Sequence, residues 1–409
     1  MTLLHFLNDR SGGVAPLLAL LALPIMGTVG AAVDYSRANS ARTAMQAAAD
    51  GAALIMAKNM TGPFGGDPSQ TARAYFDANF SRSEVQISQV SATTSQTAQK
   101  NILRIQATGS VRTAVLGALG FSVITLDVTS AAASIFDGFG CVLALDTAAS
   151  GAFTGQGSTT VTLKGCSLFD NSSNANALTV GGSAKVSALS VGVVGGITPG
   201  SVGLTAEQGI RTGIRPVADP YKDVEPPSPG GCTEENFKAN SSQTIYPGVY
   251  CGGIAVHAGA TVTLNPGLYY LDGGDLSING NAALVGTGVT LVFTSKNNKG
   301  FGAASFSSNA KINLFPPNHG STAGIVMFGD RRIPKGTTFK LTGGVSQTLA
   351  GAIYLPTATI NFAGGSSTGA GCTQIIGSIV TFSGNSSLAI DCSSYRTKPF
   401  GMWTLRLES

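Results

Sequence analysis

The chain has 409 residues, room for two or three domains, and only 11% of them are charged against roughly 25% in ordinary soluble domains. Net charge is +4 with no cluster of Lys and Arg, which speaks against nucleic acid as a partner. The three histidines, His5, His257 and His319, lie far apart, so neither a histidine-built metal site nor a cofactor is expected.

Residues 1–13 read as a short cytoplasmic stub. Val14 to Val33 then carries no charge. A helix of about twenty residues matches the ~30 Å hydrocarbon core of a bilayer, so 14–33 reads as a transmembrane helix with membrane lipid as its first partner. Gly27 and Ala31, one turn apart, would pack the span against another helix. Pro24 is tolerable in such a setting. A cleaved signal peptide competes, because Arg10 precedes the run and Gly30-Ala31-Ala32 are small. Signal cores of 7–15 residues are shorter than this one.

The apolar run passes into an Ala-rich stretch without a turn signal, which predicts a stalk helix over 34–60. Met45, Ala48, Ala52 and Ile55 form one stripe, and Arg42, Gln46 and Asp50 another. Asp9 to Gly13, the apolar span, then Asp34, Arg37, Gln46 and Asp50 within MQAAADGAAL resemble the N-terminus of TadE/TadG-like proteins of the Flp (tight-adherence) pilus machinery. The resemblance implies an inner-membrane, single-pass protein with its N-terminus cytoplasmic, whose partners are other pilus-assembly components or pilin subunits. It departs from processed pilins, since cleavage after Gly13 would put Leu18 where those carry Glu.

Residues 61–137 read as a small α+β unit. After the turn formers at 61–68, a helix is expected over Ser69–Phe80, strands over Glu84–Thr93, Asn101–Thr108 and Val123–Ala131, and a short helix over Thr113–Leu119.

From 138 to 409 the texture is Gly-rich and mainly β. Short apolar runs recur between Gly, Asn and Ser, and Pro247-Gly248-Val249-Tyr250 returns nineteen residues on as Pro266-Gly267-Leu268-Tyr269. A constant period of this kind predicts a parallel β-helix-like solenoid in preference to a β-sandwich. Tyr246, Tyr250, Tyr269 and Tyr270 are expected as core or coil-stacking residues, or else as contacts for surface glycans. A Pro-rich insertion loop is read over 198–247, and Trp403 as part of an end cap. Cys141, Cys166, Cys232, Cys251, Cys372 and Cys392 fall into three sequential pairs without any CxxC, which predicts disulfides 141–166, 232–251 and 372–392 in an exported domain.

Little catalytic chemistry is legible. Gly155-Gln156-Gly157 lacks the third glycine and the strand-to-helix setting of a dinucleotide site. Asp146 reads as a turn residue. Asp272, Asp275 and Asp330-Arg331-Arg332 are the carboxylates and bases that a β-helical polysaccharide lyase would need, but their contexts are turns and a charged edge. No enzyme is therefore expected. The leading expectation is a membrane-anchored envelope component that presents an exported β domain, with an adhesin or glycan-binding solenoid and a tethered lyase as alternatives.

Overall fold

The computed structural model describes residues 14–60, 66–97, 100–137, 139–342, 347–363, 372–389 and 395–408, and in the first helix the side chains at 14–19 and 23 lie outside that description. The chain forms two compact units. One comprises residues up to Asp137 together with Trp403–Ser409, the other Gly138–Met402.

The first unit is built on α1, Val14–Asn59, a single helix of 46 residues with Pro24 inside it. The expected 14–33 span lies partly outside the described side chains. Among the described residues no helix is long and apolar enough to cross a membrane, so the fold itself lends the span no support. What it does present is apolar exposure: Leu20 is 72% and Met26 71% exposed, and Leu21, Ile25, Val29 and Val33 are also open.

Beyond Asp34 the helix becomes half of a core. Ala38, Ala41, Met45, Ala48, Ala52 and Met56 are buried, whereas Ile55 is exposed, so the buried stripe passes through Met56 and not Ile55. Small side chains let the helix lie close to a sheet. That sheet has β1 (Val85–Gln96), β2 (Lys100–Arg112) and β3 (Val123–Asp137), antiparallel in sequence order. The helix α2, Pro68–Asn79, begins with Asp67 capping Ser69 N–H at 2.8 Å and buries Ala72 and Phe76. Thr113–Leu119 contributes only one short 3₁₀ turn, Leu116–Leu119. A fourth strand, Met402–Glu408, comes from the far C-terminus and lies beside β3. Trp403 therefore does not cap the solenoid; its ring packs edge-on against Phe136 at 5.3 Å in the first unit.

The second unit is a parallel β-solenoid, in agreement with the repeat pattern, and among the described residues its strand pairs are all parallel. Side-chain alternation divides its longest sheet into two rows. Tyr269, Leu291, Met327, Ile353, Ile375, Val142 and Leu168 are register neighbours facing the core. The next residues along, Val249, Tyr270, Val292, Phe328, Tyr354, Ile376, Leu143 and Phe169, form an outward apolar row. The Pro-Gly repeat has a steric cause: Gly267, at φ +142, is where a Cβ would lie 2.4 Å from Pro247 of the preceding coil.

Coil order does not follow the chain. Strands Gly140–Ala144, Ser167–Asp170, Val191–Val193 and Ile210–Thr212 build outward in one direction. The chain then restarts at Gly248–Val256 and works back through Gly267–Asp272, Val289–Thr294, Ile325–Gly329 and Gly351–Phe362 to Thr373–Phe382. That last strand lands on the first, with Ile375 opposite Val142. The expected insertion 198–247 is accordingly narrower than its bounds. Leu204–Ala206 and Ile210–Thr212 are solenoid strands, as are Glu234–Ala239 and Gln243–Ile245, and the stretch between 213 and 233 is a crossover that runs from one end of the stack to the other.

Candidate functional site

Asp34, one of the residues that carry the pilus-assembly resemblance, is a buried receptor for a loop. Its Oδ1 accepts Ala114 N–H at 2.9 Å, and its Oδ2 accepts Val115 and Leu116 N–H at 2.9 and 2.8 Å. These are the otherwise unpaired donors at the start of the 3₁₀ turn. The Ala114, Leu116 and Val115 amides, with Arg37 adding a smaller attraction, hold the Asp34 carboxyl below the usual carboxylate range. One turn earlier, Gly30 makes room for the same loop: a Cβ there would sit 2.2 Å from Val115 Cγ1. Gln46 donates to Asp50 Oδ1 at 2.9 Å and to Thr129 O of β3 at 3.0 Å, fastening the helix to the sheet. Arg37 is exposed. Nothing lies within 4 Å of a Cβ built at Gly27, and Ala31 is half-buried, so this small-residue face is open above the apolar side chains.

In the solenoid the structure brings the cysteines together in pairs. Cys141–Cys166 and Cys232–Cys251 are bonded, each with Cα atoms 5.6 Å apart. Cys372 is disulfide-bonded, and Cys392, its expected partner, lies outside the described residues.

The crossover covers the outward apolar row and is tied to it coil by coil. Asn171 exchanges two hydrogen bonds with Val217. Tyr221 is fully buried, donates to Gln374 Oε1 at 3.0 Å and accepts Lys398 N–H at 2.9 Å. Burial pushes its phenol pKa up. Tyr354 donates to Asp219 at 2.9 Å, and Arg331 donates to the Tyr221 and Val224 carbonyls while pairing with Glu225. Tyr270 donates to Pro227 O, and the Cys232–Cys251 bond closes the far end. Of the expected tyrosines, Tyr250 and Tyr269 stack in the core at 5.9 Å, Tyr270 lies under the crossover, and Tyr246 is exposed. Sequence reasoning missed Asn171 and Tyr221: Tyr221 follows Pro216 and Pro220, and Asn171 has no local signal at all.

The lyase-type carboxylates act as turn braces. Asp272 accepts Lys296 N–H and Asp275 accepts Ala303 N–H, both at 2.8 Å. Asp330 holds Arg332 and accepts from Thr294 at 2.7 Å. Asp146 accepts Ala148 and Ala149 N–H, as a turn residue does. Among the described residues no His, Cys, Asp and Glu group could hold a metal ion. One apolar groove of about 840 Å³ opens on the solenoid, lined by Pro227, Pro266, Pro316, Pro317 and the stacked rings of Phe315 and Tyr395, which lie 6.2 Å apart.

No curated protein and no solved structure matches the chain significantly. Residues 12–57 match the family model described as "Putative Flp pilus-assembly TadE/G-like", and the Gly30 and Asp34 receptor and the Gln46 and Asp50 fastening all fall within that matched stretch.

Proposed function

We propose that this protein is a non-enzymatic component of a Flp pilus-assembly apparatus, anchored in the inner membrane by the N-terminal part of α1, with its β unit exported. The observation that carries the reading is the family match over 12–57. The exposed apolar side chains between Leu20 and Val33 support an anchor, because a row of that kind needs lipid or a partner helix to cover it. The disulfides support an oxidising compartment for the solenoid. The use of Asp272, Asp275 and Asp330 as braces supports a role in contact and not in catalysis.

A second reading, an adhesive or glycan-binding solenoid, draws on the groove beside Phe315 and Tyr395, where apolar walls meet polar groups at Asn318 and His319. Deleting the gene, then imaging pili and measuring adherence on the same cells, tests both. Loss of pili supports assembly or anchoring. Normal pili with poor adherence favour the second reading, and no change in either removes the pilus role.

A further inference from the structure

The exposed apolar surface of the first unit is not confined to α1. Residues 113–126, which join β2 to β3, carry no charge, just as 14–33 carries none. At this hairpin tip Leu119 is 61% and Phe121 67% exposed, and Val115 and Val123 are also open. The two uncharged stretches meet at Gly30, where α1 lacks the Cβ that would otherwise strike Val115. Asp34 pins the tip one turn further on. Gly30 comes three residues before Val33, so at helical rise it lies about 4.5 Å inside the end of the uncharged run. The tip is therefore held level with the last exposed apolar residues of the helix, Val29 and Val33.

The backbone of the tip finds its partners within the protein. Besides the three amides on Asp34, the Ala118, Gly120 and Phe121 N–H groups bond to the Val115, Gly117 and Leu116 carbonyls at 3.1, 3.2 and 2.9 Å. Thr113 N–H donates to Ser122 O at 3.1 Å across the base, and Thr113 Oγ1 donates to the Phe121 carbonyl. Backbone groups that enter lipid must be paired in this way, because hydrocarbon offers them nothing; a tip bathed in water has no such need. Charge marks the boundary of the surface. Arg112 and Asp127 flank the tip, and Arg37 is the first cation after the helical run. Both arginines are exposed.

We propose that the β2–β3 tip is a second membrane contact, seated in the headgroup–acyl boundary of the same phospholipid bilayer that α1 enters. Leu119, Phe121 and Val123 are immersed, and Arg37 and Arg112 lie among the phosphates. This rests on the membrane anchor proposed above. Interfacial segments of this kind bury an apolar face about 5–10 Å deep, which matches the depth that Gly30 gives the tip. A lone helix leaves its tilt to its surroundings, whereas an interfacial anchor clamped to it sets both depth and tilt. The Gly30 and Asp34 receptor thereby orients the first unit on the bilayer.

Tryptophan quenching by brominated lipid tests this in the full chain. The one native tryptophan, Trp403, packs on Phe136, roughly 40 Å along β3 from Val123 at strand rise, and serves as an unquenched reference for the fold. Phe121→Trp and Leu119→Trp are each reconstituted in vesicles of phosphatidylcholine and phosphatidylglycerol. The added emission should be blue-shifted, and it should be lost when the phosphatidylcholine carries bromine high in its acyl chains. Val29→Trp, measured in the same vesicles, reports the anchor independently. Quenching at Val29→Trp with none at either tip position would overturn the tip contact and leave the anchor standing. A blue shift at the tip without quenching would mean that protein covers it, a second copy included, and would also overturn the proposal. No quenching at any of the three positions would remove the anchor reading and this inference with it.

Discussion

Asn171 and Val217 exchange two hydrogen bonds of 2.8 Å each, so that one side-chain amide serves the crossover as a ladder rung would. Both residues are buried. Asn171→Ala leaves the Val217 N–H and C=O unpaired out of water, at a cost of about 2–3 kcal/mol. Local opening of the crossover should rise by roughly thirty-fold or more. The rate of limited trypsin cleavage after Lys222 measures it, and an unchanged rate would show that the pair does not hold the segment.

Asp34 supplies acceptors to three amides, and Asn in its place has one oxygen and an NH₂ that faces donors. Asp34→Asn should abolish hydrogen-exchange protection at Ala114, Val115 and Leu116 at neutral pH. In the wild type the folded pKa lies below the ordinary value, so the stabilisation is present above that value and is lost only as pH falls through the depressed one. Protection that persists in the variant would refute the receptor role.

Asp170 titrates in the opposite sense. It is fully buried in the solenoid, and desolvation raises its pKa from 3.8 to about 6, against the hydrogen bonds from Ser172 and Phe153 and with Asp146 adding a small push in the same direction. The fold favours the protonated acid. Its ionisation therefore costs nothing below pH 3.8, costs progressively more up to about 6, and then levels off. The span corresponds to about 3 kcal/mol. The stability difference between wild type and Asp170→Asn, followed by thermal melting from pH 4 to 7, should show this slope; parallel curves would contradict it.

The Cys232–Cys251 bond joins residues 19 apart and pins the crossover where it re-enters the stack. A loop of that size contributes about 3 kcal/mol. Replacing both cysteines by serine should expose the 226–233 stretch to proteolysis before the rest of the solenoid. Mass spectrometry of early fragments checks the order, and simultaneous loss of the whole unit would indicate that the bond is needed for folding itself.

Much of this fold was legible because the relevant contacts are local in sequence or one period apart. The α1 stripe from Ala38 to Met56 follows helical spacing, and only Ile55 was placed on the wrong side of it. Cys141 and Cys166, 25 apart, and Cys232 and Cys251, 19 apart, are separated by about one coil, so neighbours in the cysteine list become neighbours in space. The Asp34 motif was recognisable, but its partners at 114–116 are some eighty residues away and carry no signal beyond an ordinary apolar run.

By itself the sequence determined the long helix, the β period, the stacked prolines and glycines, and the pairs Cys141–Cys166 and Cys232–Cys251, since each depends on residues within a single turn or coil. Only the tertiary structure decided which edge each coil joins. A parallel edge with an apolar row accepts any strand of matching alternation, and closing a longer loop adds little entropy, so nothing local distinguishes Ile375 landing on Val142 from a stack wound in chain order. The same tertiary choice made the proline-rich stretch a crossover, sent Trp403 back to the first unit, and left Ile210 and Glu234 at opposite ends of the stack.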